Sequence, residues 1–275
     1  MEISPSERLY RNRFSILLAF LALGFGMLYL LPTEASAELL NIFGIAFRLN
    51  FFSFIPLMLA ALAAVGAIWT FSIHPLWDDE KFSLYKILPN LALPFLSILI
   101  LAIVLMQSTR SLVWWAVFLP GYLILVLLLR AEYKLIGTSE NQHFWYSILV
   151  ISFSFGLFLL FTIALKNSGI RMFVQFMLIL IAALFVAYRY YSLMNPANKN
   201  YLQAALVAWI TAQLAVALHY VFIKPIQYGL ILTGLLYALS SWMSQFQATK
   251  KWYQYKEPLL MAAVTILILI LSSIV

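Results

Sequence analysis

The 275-residue sequence predicts an all-α fold: a polytopic helical bundle integral to a membrane, with about nine transmembrane helices, the N-terminus cytoplasmic and the C-terminus outside. Three observations carry this. The chain is 64% hydrophobic and 10% charged, where soluble domains are about 45–50% and about 25%. It divides into nine apolar runs that hold none of its Asp, Glu, Lys or Arg residues. Its Lys and Arg residues fall mostly on one side of those runs, which is the pattern that sets orientation.

The runs lie at 14–31, 51–73, 88–106, 112–129, 145–165, 172–188, 202–222, 226–244 and 258–274. Each is close to the roughly 20 residues a helix needs to cross a hydrocarbon core of about 30 Å. The first begins behind Arg8, Arg11 and Arg13 and is followed by Ala35-Ser36-Ala37, as a signal peptide would be. Its 18 residues exceed the roughly 7–15 of a signal core, so it reads as a retained helix. The second run carries Ala60, Ala61, Ala63, Ala64, Gly66 and Ala67, small residues that let backbones approach. Between these two runs, Leu39, Leu40, Phe43, Ala46 and Phe47 fit one face of a helix, predicting a short interfacial helix over 37–48.

Pro89, Asn90 and Pro94 crowd the start of the third run and predict an irregular backbone there. Such backbone at membrane depth is buried in protein or lines a cavity, which makes Asn90 a candidate ligand contact. The seventh and eighth runs are divided at Ile223-Lys224-Pro225, because a proline disfavours helix just before it. The third, fifth, seventh and ninth runs start at 88, 145, 202 and 258, a hairpin repeat of about 57 residues. The whole chain reads as one transmembrane domain.

With the N-terminus inside, twelve of the seventeen Lys and Arg residues are cytoplasmic. The five outside are Arg48, Arg110, Lys166, Arg171 and Lys224. The net charge of +7 thus reads as orientation and attraction to anionic lipid, with no role for nucleic acid. The expected location is a cell membrane, and the expected partners are membrane lipids and other membrane-protein subunits.

Central Asp, Glu, Lys or Arg is absent from every run, which disfavours ion-coupled transport, voltage sensing and pumping. Gln213, near the middle of the seventh run, is the most central strong polar group, and Trp209 and Tyr220 lie near its face. It reads either as a ligand contact with Trp209 and Tyr220, or as an interhelical hydrogen bond to Thr233 or Ser240. On the inner side, His74, Asp78 and Asp79 with His143 offer metal-ligating or acid–base groups, at a spacing that fits no metal motif and equally fits a solvated acidic loop. No cofactor is expected, and with no cysteine, thiol catalysis and cysteine-ligated clusters are excluded.

Glu34 and Glu38 are the acidic residues of the first outer loop. A carboxylate just outside a first span resembles, over about residues 14–73, the architecture of membrane-embedded glycosyltransferases that use lipid-phosphate donors. The resemblance implies a base or metal ligand at Glu34 or Glu38. The chain departs from that pattern in lacking a paired Asp-Asp or Asp-Glu there and an outer catalytic domain. Three functions therefore stand. The first is a non-enzymatic subunit, scaffold or binder of lipid or another apolar ligand. The others are a transporter-like protein without coupling carboxylates, and a lipid-linked transferase.

Overall fold

The computed structural model describes residues 5–30, 38–42, 45–49, 54–73, 84–136, 140–194, 201–246 and 256–274. Nine helices run through the described residues, each containing one of the nine apolar runs or most of it. They are α1 (Pro5–Leu30), α2 (Ile55–Phe71), α3 (Leu84–Gln107), α4 (Leu112–Leu135), α5 (Glu140–Asn167), α6 (Met172–Met194), α7 (Tyr201–His219), α8 (Pro225–Phe246) and α9 (Lys256–Ile274). Seven of them, α1 and α3 to α8, are long and apolar enough to cross a membrane, while α2 is a shorter apolar helix of 17 residues. The chain is a multi-pass helical membrane protein.

Two expectations are corrected. The segment expected as an interfacial helix over 37–48 is an antiparallel hairpin of β1 (Glu38–Ile42) and β2 (Ile45–Leu49), in the register Glu38↔Leu49 to Ile42↔Ile45. The segment is apolar enough to satisfy a helical period without needing one. Gly44 also lowers the helical preference of this stretch by about 1 kcal/mol. The irregular start expected at Pro89 and Pro94 is also absent, for α3 is continuous from Leu84 to Gln107. A proline removes one backbone donor without ending a membrane helix when neighbours and side-chain hydroxyls take up the freed groups.

Local signals fix the helix ends. Ser111 caps α4, its hydroxyl accepting from Val113 N at 3.3 Å. Proline opens both α2 and α8, where its missing donor costs nothing. The break between α7 and α8 falls where Lys224-Pro225 places it.

The chain forms two compact units, residues 1–146 and 147–275. In the first, α1 buries Phe14, Leu17, Leu21, Phe25 and Leu28, a stripe at helical spacing, against Ala60, Ala63 and Ala67 of α2. The approach is close: a Cβ on Gly66 would collide with the Leu17 side chain, and one on Gly24 with Leu59. Tyr122 Oη of α4 donates to the Leu18 carbonyl at 2.8 Å, and Arg13 Nη1 donates to the Trp69 carbonyl of α2 at 2.7 Å. Trp114 completes the core among Tyr29, Trp115 and Phe118. In the second unit α6 packs on α7, and α8 packs on α7, α6 and α9. Gly229 lets α8 lie against Leu159 and Ile163 of α5.

A candidate headgroup site at one end of the second unit

Two tight connections bring four helix ends together. After α5, Ser168 Oγ donates to the Leu165 carbonyl at 2.7 Å and Gly169 takes φ +62°, the left-handed region that favours glycine, so α6 starts five residues after α5 ends. After α7, Val221 N bonds the Leu218 carbonyl at 3.3 Å, and Gln227 Oε1 accepts from Lys224 N at 3.1 Å, half of a capping box at the start of α8. The last turns of α5 and α7 therefore meet the first turns of α6 and α8.

Polar side chains converge there. Gln175 of α6 is buried, and its Nε2 donates to Tyr228 Oη at 3.0 Å. Tyr228 of α8 is fully buried, and its hydroxyl donates a hydrogen bond to the Ala215 carbonyl of α7 at 3.3 Å. Lys166 Nζ of α5 donates to the His219 carbonyl at 3.1 Å and sits 5.1 Å from the centroid of the Tyr228 ring. His219 Nδ1 is buried without a hydrogen-bond partner among the described residues. Gln175, His219 and Tyr228 line a crevice with Met172 and Phe176, too narrow to hold a water molecule. The cluster is dry and ties four helices, and Lys166 is its charged end.

The charge around it is one-sided. No Asp or Glu occurs between residues 141 and 256. The second unit carries eight basic residues and one acidic, Glu257, while the first carries nine of each, so the net charge of +7 belongs to the second unit. Lys166, Arg171 and Lys224 share the two connections at this end. An ammonium has three donors, and only one of those on Lys166 is taken up by a described carbonyl. The positive ends of the α6 and α8 backbone dipoles lie on the same side. Chemically, the arrangement favours an anionic oxygen group placed over Lys166.

Residues 31–272 match a family described as a protein of unknown function, DUF5656. The chain belongs to this family. The match takes in the hairpin and every helix from α2 to α8, so the Lys166 cluster lies wholly within the family region. Among curated proteins and among solved structures, none matches this chain.

The residues singled out from the sequence fall elsewhere. Gln213 is exposed on α7, as are Trp209 and, just past the helix end, Tyr220. The bond considered from Gln213 to Thr233 is not made, since Thr233 Oγ1 is buried without a partner among the described residues. Asn90 is half-buried on α3 and has a partner. His74, Asp78, Asp79 and Glu34 lie outside the described residues. Glu38 opens β1, and His143 lies on the first turn of α5. Among the described residues no three of His, Cys, Asp and Glu gather as a metal site would require. The buried amide is Gln175, in the first turn of α6 and so away from the middle of its span. The signal for it was the acid-free stretch flanking Lys166, together with polar residues near the same ends of consecutive hairpins.

Proposed function

We propose that this protein is a non-enzymatic membrane protein that binds an anionic lipid headgroup at the Lys166 end of its second unit. The observation that carries the reading is Lys166 itself. It is a half-buried cation held by a carbonyl and an aromatic face, in a 116-residue stretch without a carboxylate. Arg171 and Lys224 extend the same cationic rim. With the N-terminus inside, this end faces outward, where the first-leaflet headgroups of the outer surface lie. The dry relay of Gln175, Tyr228 and Ala215 supports holding rather than turnover, because it offers no nucleophile paired with a base.

The test is lipid retention. The purified full chain is reconstituted into nanodiscs of zwitterionic phospholipid containing a minor share of anionic phospholipid, and bound lipid is measured by native mass spectrometry. A lysine near the surface contributes about 1 kcal/mol to anionic-lipid binding, so Lys166→Gln should lower the preference for anionic lipid about fivefold. Equal retention by Lys166→Gln and the unaltered chain would overturn the reading.

A further inference from the structure

We propose that the exposed face of α7 is a self-association surface, on which Gln213 pairs with Gln213 of a second copy of this chain. Leu202, Leu206, Trp209, Gln213, Val216 and Tyr220 follow one another at steps of four, three, four, three and four residues. This is the spacing that the seam of a left-handed helix pair requires, apolar except at one central position, and it coincides with the exposed side of α7 and the residue just past its end. All but Val216, which is half-buried, are exposed on the single chain. Gln213 lies about 5 Å along the axis from the middle of α7, well within a hydrocarbon core about 30 Å thick. An amide left unpaired there costs several kcal/mol.

The occupant is a second copy for two physical reasons. An amide is both donor and acceptor, so two of them across a two-fold axis satisfy each other. Copies of one membrane protein also insert in the same direction, so an axis along the membrane normal brings each Gln213 to the depth of the other without adjustment. The seam carries no charge, so nothing on it opposes the approach of an identical face. A single polar residue within an apolar seam is also the device that fixes register in helix pairs.

The chain contains no cysteine, so one introduced thiol reports one position. Leu202→Cys and Leu206→Cys in full-length protein, in native membranes under a mild oxidant, should give a disulfide-linked dimer. Leu123→Cys, exposed on α4, should not. In vesicles, energy transfer between labelled copies at increasing lipid dilution should show dimerisation about 3- to 30-fold weaker in Gln213→Leu, as expected for one interhelical hydrogen-bonding pair. Gln213→Asn, which keeps the amide, should lose less. The proposal is overturned by cross-linking at the seam no greater than at Leu123→Cys, or by a seam cross-link to a different protein in place of the dimer. It is equally overturned if Gln213→Leu associates as well as the unaltered chain, or if Gln213→Asn loses as much as Gln213→Leu.

Discussion

Replacing either of two glycines in the second unit with alanine should change stability in opposite directions. Gly156 on α5 is exposed, and a Cβ built there meets nothing within 4 Å. Alanine removes the roughly 1 kcal/mol helix penalty of glycine, so Gly156→Ala should stabilise by up to about that amount. Gly229 on α8 is buried, and its Cβ would lie 2.7 Å from Ile163 Cγ1, 3.0 Å from Leu159 Cδ1 and 3.2 Å from the Leu159 carbonyl oxygen. Carbon atoms rest at about 3.5–4.0 Å, so the Ile163 side chain must move by about 1 Å. The two side-chain atoms can turn aside, but the carbonyl belongs to the α5 backbone, so there the helices must give by a few tenths of an ångström. Overpacking of this kind costs about 1–3 kcal/mol. Less the same propensity gain, Gly229→Ala should destabilise by about 0–2 kcal/mol. The two variants should therefore differ by about 1–3 kcal/mol, a factor of about 5–150 in the folded-to-unfolded ratio. The assay is unfolding of the full chain in mixed micelles titrated with denaturing detergent, followed by tryptophan fluorescence. Shifts of the same sign and size in both variants would show that α5 and α8 do not meet at Gly229.

Two further substitutions probe the interiors of the two units in the same titration. Tyr228→Phe removes the hydroxyl between Gln175 Nε2 and the Ala215 carbonyl, leaving a buried amide unpaired at a cost of about 1–3 kcal/mol. Adding Gln175→Leu should recover part of that loss, and strictly additive costs would refute the relay. Trp114→Ala empties a fully buried position packed on Tyr29, Trp115 and Phe118 and should cost about 3–5 kcal/mol; a loss under about 1 kcal/mol would mean that those rings do not form a packed core.

The helices were legible because long apolar runs leave the backbone one way to satisfy its hydrogen bonds. Their ends at Ser111 and Lys224-Pro225 were legible because capping and proline chemistry act within a few residues. The strands within 38–49 were not, because a segment with eight apolar residues in twelve satisfies a period of two as readily as one of 3.6. The site failed to emerge for a related reason. Depth along a helix can be counted in residues, and Gln213 falls in the central part of α7. The direction a side chain takes around an apolar helix cannot be counted, because α7 is apolar on all sides and its pattern names no buried face. Gln175 and Gln213 are the same chemical group on neighbouring helices, and only packing makes one interior and the other exterior.

The charges make the sharpest case. An uncharged run ends by definition at its first charge and so holds none inside. The helices do not stop there: α4 continues past Glu132 and α6 past Arg189, and both residues are buried and have partners. Charge is thus excluded from the middles of the helices and admitted at their ends, where pairing offsets desolvation. The same distinction separates two meanings of the net charge. The orientation expected from the sequence puts twelve cations inside, as that rule asks, and leaves five outside that it does not ask for. Three of those five, Lys166, Arg171 and Lys224, are gathered at one end of a unit with a single acidic residue. Under the function proposed above, the anion that meets Lys166 at this end is a lipid phosphate.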